Sequence, residues 1–208
     1  GDKIITEIMA DSSPVIAMPN VEYLEIYNTS SKVIPLNGFT ISDGTSTAVL
    51  GNYSIGIHEF VILCKLSDTG MFSQYGKVLG LSVWPTLNNT SDVITLKNAK
   101  NETIDQVTYD LTWYKDALKR DGGYSLERVD FTNQCSAFYN WMARASQNGG
   151  TPGQIISYWI ESHENKIFKI NHVLMKTDSS MEIQINHIPD TALAMQEMKY
   201  RLNGFNIY

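Results

Sequence analysis

Nowhere in these 208 residues does an apolar run approach the roughly 18 residues that a membrane-crossing helix needs, so no such span is expected. Charge is scarce too: Asp, Glu, Lys and Arg make up 18% of the chain, with a formal net charge of −6. The first 153 residues hold 16 acidic against 11 basic side chains and the remainder 6 against 5. Neither part has the clustered Lys and Arg from which phosphate affinity comes, which argues against a nucleic-acid partner. Cysteine is limited to Cys64 and Cys135. They lack the close spacing of a metal knuckle, and no His stands near either in sequence. Spacing leaves open two buried thiols or one disulfide, which in a chain-entropy treatment contributes on the order of 4 kcal/mol. No Gly-rich phosphate loop and no nucleophile with an adjacent base is visible, so no enzyme and no cofactor is expected. The start, Gly1-Asp2, is not a signal peptide and reads as a mature or trimmed terminus.

What the chain has in quantity is Tyr, Thr, Ser and Asn, which suits strands whose outer faces are polar but uncharged and points to an extracytoplasmic β-protein. Short apolar or alternating runs recur: "KIITEIMA", "EYLEIYN", "GFTIS", "EFVILC", "DVITLK", "TIDQVTYD" and "YSLERV". Turn clusters separate them, among them "NTSS", "SDGTST", "LNNTSD", "KNAKNET" and "RDGG". Many short strands with regular turn signals predict an antiparallel sandwich. In "SDTGMFSQYG", Ser67 or Asp68 is placed to cap a short helical turn carrying Met71, Phe72 and Tyr75. "QNGGTPG" is the strongest break, so the division expected is 1–153 and 154–208. In the second part "IISYWIES", "KIFKINHVLM" and "MEIQINHI" read as strands, and Ala192, Met195, Met198 and Leu202 are spaced for a helical face. So short a segment makes a marginal core alone.

Several constellations invite chemistry. "NVEYLEIYN" sets Glu22 and Glu25 three residues apart. Strand alternation puts Glu22, Leu24, Ile26 and Asn28 on one face and Val21, Tyr23, Glu25 and Tyr27 on the other, which makes a poor acid/base pair. Asp68-Thr69-Gly70 is the tripeptide of aspartic proteases, but that chemistry needs two such carboxylates and no second copy exists. Of four histidines, His58, His163, His172 and His187, the last two sit in near-repeats, "INHV" and "INHI", that would suit zinc if paired; scattered surface histidines are the simpler reading. "SDGTST" and "NNTSD" offer oxygens, but turn chemistry accounts for them without calcium. Five Asn-x-Ser/Thr sequons, at Asn28, Asn52, Asn88, Asn89 and Asn101, read as turn residues. The one basic and aromatic cluster is "TWYKDALKRDGG", with Trp113, Tyr114, Lys115, Lys119 and Arg120. It is the candidate ligand-binding loop, for sugar rings or nucleic acid, though Asp116 and Asp121 within it favour a solvated loop.

Taken in order, "ITEIMAD", "EYLEIYN", "IPLNGFTISDG", "EFVILC", "LNNTSDVITLKNAKNETIDQVTY", "GGYSLERVD", "NWMA" and "GGTPG" resemble the lamin tail domain, in the form found in exported bacterial proteins. The resemblance spans roughly residues 3 to 153. It implies an immunoglobulin-like β-sandwich, with Leu24 and Ile26 turned inward on an early core strand and Glu22 and Glu25 structural or surface carboxylates near strand ends. It also makes a Cys64–Cys135 bridge more plausible than spacing does. Two departures stand out: Phe39 where the family often has Trp, and Ile57-His58 where it often has Pro-Gly. After Gly153 the chain more faintly resembles the opening strands of Ig-like modules that follow this domain in bacterial surface proteins.

The resemblance implies a non-catalytic binding or structural module of an exported bacterial surface protein, serving adhesion, assembly or positioning. Its expected location is the periplasm, the outer-membrane surface or the medium. A protein or a glycan at the cell surface is the expected partner, and an exposed edge strand or the tail offers a route to a homodimer. The alternative is an accessory, substrate-targeting domain of a secreted hydrolase or nuclease whose catalytic part lies outside this chain.

Overall fold

A computed structural model describes residues 3–133, 138–143, 148–154, 170–177, 180–185, 201–202 and 205–206. The chain divides into two compact units, Gly1–Glu161 and Ser162–Tyr208.

The described strands of the first unit are β1 (Lys3–Met9), β2 (Tyr23–Asn28), β3 (Ile34–Pro35), β4 (Thr40–Ser42), β5 (Thr47–Val49), β6 (Ser54–Ile55), β7 (Phe60–Lys65), β8 (Val78–Leu81), β9 (Ser91–Lys97), β10 (Thr103–Asp110), β11 (Leu126–Arg128) and β12 (Trp141–Met142). They form a six-stranded sheet in the order β12-β11-β1-β2-β7-β8, a four-stranded sheet in the order β10-β9-β4-β5, and the small ladder β3-β6. Every pairing is antiparallel except β7 with β8. This is an immunoglobulin-like sandwich. Ile5, Ile8, Leu24, Ile26, Val61 and Leu63 meet Ile41, Ala48, Ile94, Leu96, Val107 and Tyr109 in one buried cluster. Each such aliphatic side chain contributes roughly 1.5–3 kcal/mol by leaving water.

β9 and β10 alternate buried and exposed residues, as half-covered strands do. In contrast, β1 and β2 are buried at every position. The outer face of the larger sheet is therefore covered as well. Met9, Met18, Tyr23, Ile62, Cys64 and Phe72 form a second cluster there, and Ile4, Tyr27, Phe60 and Phe131 a third. Phe72 comes from α1 (Thr69–Phe72), which follows a 3-10 turn at Leu66–Asp68. Asp68 stands at the N-cap of α1 without a side-chain capping bond, and Met71 is exposed. Packing of Phe72 edge-on to the Tyr23 ring at 5.1 Å, rather than a cap, holds this turn.

A buried ion pair joins the two sheets. Arg128 Nη2 lies 2.6 Å from Asp105 Oδ2, Arg128 Nε donates to Ile5 O (2.8 Å), and Ile5 N donates to the same Asp105 oxygen (2.8 Å). The pairing register of β1 with β2 shifts between Ile5 and Glu7. The bulge there lets Ile5 and Ile8 share the inner face although they are three residues apart.

In the second unit, β13 (Ile170–Thr177) pairs with β14 (Ser180–Ile185), and β15 (Arg201–Leu202) with β16 (Phe205–Asn206), all antiparallel. Leu202, expected on a helical face, is instead a strand residue paired with Phe205. The intervening sequence Asn203-Gly204 is a strong hairpin signal, and it outweighs the helical spacing. Ala192, Met195 and Met198 lie outside the described residues, as does the expected strand "IISYWIES".

Candidate functional site

The densest polar constellation sits on the covered outer face of the six-stranded sheet. The β1–β2 register sets Glu7 opposite Glu25, and the β1–β11 register sets Glu7 opposite Glu127, so three buried carboxyl groups form one row across β11, β1 and β2. Glu7 Oε1 accepts from Tyr23 Oη (2.5 Å), Ser125 Oγ (2.6 Å) and Thr151 N (3.0 Å). Glu25 Oε1 accepts from Thr6 Oγ1 (2.7 Å), and its Oε2 from Gly153 N (2.5 Å). Burial raises the Glu7 carboxyl above its ordinary range, against the hydrogen bonds of Ser125, Tyr23 and Thr151. Burial, then the charge of Glu7, raises Glu25 well above it, against the bonds from Gly153 and Thr6. Desolvation disfavours the charged form, and a like charge alongside disfavours it further. Tyr23 is also driven well up, by burial first and then by Glu7, so it keeps its proton and donates.

Over this row lies a strap, residues 150–153, whose backbone supplies two of the donors. Its sequence fits the approach: a Cβ on Gly150 would come within 2.5 Å of Tyr23 Oη and 2.7 Å of Glu7 Oε1. Gly153, at φ +78°, passes so near Tyr75 O that a Cβ would lie 2.0 Å from it. "GGTPG" is thus the lid of the acid row. Buried under the strap, this acid row is closed to a substrate.

The other expected residues fall as follows. Trp113 and Tyr114 are in the core, 7% and 2% exposed, with Trp113 packed on Trp141 at 6.3 Å. Their rings are therefore not outward platforms for a base or a sugar. Lys115 Nζ lies over the Phe138 ring at 4.6 Å, and burial lowers its ammonium. Lys119 donates to Ala143 O (3.3 Å) and pairs with Asp116 (3.7 Å), while Arg120 stands 3.9 Å from Asp121. The structure brings these residues together, with the cations turned onto the fold's own acceptors and rings.

Glu22, on the face opposite Glu25, accepts from Trp84 Nε1 (2.7 Å) and Leu87 N (3.1 Å) and tethers a loop. Asp68 bonds its neighbour Ser67 (2.8 Å). His58 stacks on Tyr27 at 6.3 Å, and His172 stands on β13 opposite Gln184; His163 and His187 lie outside the described residues. Among the described residues no group of three or more His, Cys, Asp or Glu is arranged to hold a metal ion. Cys64 is buried on β7, and burial together with Asp68 pushes its thiol up to about 11. Cys64 is a free thiol in the structure, and Cys135, the other half of the expected bridge, lies outside the described residues.

A family model described as Lamin Tail Domain matches residues 1–110. The chain belongs to the lamin tail domain family. No curated protein matches it. The matched span of the lamin tail domain covers β1 to β10, and β11, β12 and the strap complete the larger sheet and its cover beyond it. Both departures from the family's habit are absorbed. Phe39 is buried with Lys3 Nζ 4.9 Å over its ring, and His58 takes the left-handed φ of +52° that a glycine would adopt freely. Sequence reading missed Glu7 as the partner of Glu25. The two are 18 positions apart and meet only through strand register; the available signal was that "ITEIM" carries a lone carboxylate amid apolar residues.

Proposed function

We propose that this lamin tail domain is a non-catalytic binding or structural module of an exported bacterial surface protein, acting in adhesion, assembly or positioning toward a protein or a glycan. One observation carries the reading: among the described residues of the first unit, the strongest ionic and acid constellations are spent inward. Glu7 and Glu25 hold the strap, Asp105 and Arg128 join the sheets, and Glu22 tethers Trp84. Functional chemistry on such a scaffold falls to loops and outer surface, the usual working parts of a binding sandwich. No helix among the described residues is long and apolar enough to cross a membrane.

The test is antibody labelling and protease shaving of intact cells of the native organism, compared with lysed cells. Labelling and cleavage without lysis support the reading. Protection in intact cells with recovery in the cytosolic fraction overturns it.

A further inference from the structure

An open sheet ends in edge strands, whose outward N–H and C=O groups are a template for another strand. Among the described residues of the first unit, three of the four edges of the two larger sheets are blunted. β5 and β12 are too short to serve, with three and two residues. On β10, Asp105 takes the Gln106 N–H with one oxygen (3.0 Å) and Arg128 with the other (2.6 Å), which occupies part of that edge. β8 has neither device. It is outermost in the six-stranded sheet, and from Val78 to Val83, just past Lys77, the chain has no charge and no proline.

Register decides which groups of β8 face out. Ile62 N donates to Lys77 O (2.8 Å), and Ile62 stands opposite Val78. In a parallel ladder this turns the N–H groups of Leu79 and Leu81 to β7 and those of Val78 and Gly80 away from it. Among the described residues nothing bonds to the N–H or C=O of Val78 or Gly80, and both residues are only half-buried. Val78 and Gly80 share the outer face with their partners Ile62 and Cys64, whereas Leu79 packs against the main core.

This edge is complementary to itself. A second β8 laid antiparallel sets Val78 opposite Gly80 of the second copy, Gly80 opposite its Val78, and Leu79 opposite its Leu79, so the outward groups of both Val78–Gly80 pairs exchange hydrogen bonds. Facing residues lie on one face of the joined sheet and touch. Gly80 offers no side chain there, and Leu66 lies over it: a Cβ on Gly80 would come within 2.8 Å of Leu66 Cδ1. Leu66 is 58% exposed, and the pairing places it against Val78 of the second copy, covering apolar surface on both chains. The formal charge of −6 sets two copies against each other at long range, but no charged residue lies in the paired stretch to repel at contact. A foreign strand could match the backbone bonds equally well. A copy of this chain also supplies a Leu66 for each Val78.

We propose that β8 joins two copies of this chain, edge to edge and antiparallel, into one sheet continuous across both sandwiches. The contact deepens the assembly reading above and rests on it for its role. One short strand pair with its flanking side chains falls at the small end of the interface scale, below the roughly 1,000 Å2 of a stable complex, so the association is expected to be weak and reversible.

The experiment is sedimentation velocity of the full 208-residue chain over a dilution series, with amide hydrogen exchange followed by 1H–15N spectra at both ends of the series. The sedimentation coefficient is expected to rise with concentration toward that of a dimer. The Val78 and Gly80 amides are expected to gain protection only in the concentrated sample, while Leu79 and Leu81, bonded to β7, stay protected in both. Leu66→Glu sets a carboxylate against Val78 of the second copy and is expected to weaken association by about tenfold or more, with the urea midpoint close to the parent's. A monomer throughout the series overturns the proposal, as does a dimer whose Val78 and Gly80 amides stay unprotected, or one that Leu66→Glu leaves as tight. The exchange pattern is read on the parent chain alone, so a variant that failed to fold would not shield the proposal. Association of purified protein is independent of cell location: its failure leaves the surface reading standing, and failure of the shaving test leaves the dimer standing.

Discussion

Glu25 is the residue on which the chemistry of the first unit turns. Its carboxyl is raised well above its ordinary value of 4.5, chiefly by burial and next by Glu7. The folded state therefore binds more protons than the unfolded state in the window between that value and the raised one. Stability contributed by the pair is greatest at acid pH and falls as pH rises through that window. Glu25→Gln keeps the shape, offers an oxygen to Gly153 N and an amide to Thr6, and removes the titration. In urea unfolding, the variant is expected to gain relative to the parent as pH rises above the ordinary carboxylate range, and its pH slope is expected to be flatter than the parent's. An unchanged slope would show that Glu25 is not the titrating group. The sequence made half of this legible: strand alternation separates Glu22 from Glu25, and the structure has them on opposite faces. It also suggested carboxylates near strand ends, whereas Glu25 sits mid-strand under a cover supplied by residues more than a hundred positions away. No local pattern carries that distance.

At the scale of elements, strands lying in a run long enough to display a period were readable, and short ones outside such a run were not. β1, β2, β4, β7, β9, β10 and β11 each match, to within one residue, a run picked out by alternation or apolar content. β3, β5, β6 and β12 have two or three residues, too few for a period, and β8 pairs in parallel through a glycine. "TWYKDALKR" misled for a related reason: aromatic and basic residues side by side do not reveal which end of each side chain the core takes. Two elements permit sharp tests. Arg128→Leu deprives the buried Asp105 of its guanidinium and is expected to cost about 3–5 kcal/mol, read as a fall in the urea midpoint. Pairing it with Asp105→Leu should restore part of that loss; a double variant no better than the single one would remove the ion pair as the cause. In the strap, Gly150→Ala forces a methyl against Tyr23 Oη and Glu7 Oε1 and is expected to cost roughly 1–3 kcal/mol, measured as a lowered Tm. A neutral outcome would mean that the strap shifts freely over the acid row.

For the molecule as a whole, the family match stops at residue 110, yet the physical unit does not. β11 brings Glu127 and Arg128, β12 brings Trp141, and the strap brings the donors that Glu7 and Glu25 require. The glycines of "QNGGTPG" announce the end of regular structure in sequence, and the same lack of side chains is what allows the segment to close on buried carboxyl groups. A break in pattern and an integral lid are thus the same residues read at two scales. The consequence is a boundary that can be measured. A chain ending after Gln154 keeps both donors and is expected to unfold in one cooperative transition. A chain ending after Asn148 loses them, leaving two buried acids short of partners at about 1–3 kcal/mol each, and is expected to show a much lower urea midpoint and a weaker near-ultraviolet signal from Tyr23. Equal stability of the two chains would mean that the sandwich seals its outer face without the strap, and the lid would then be a passenger rather than part of the fold.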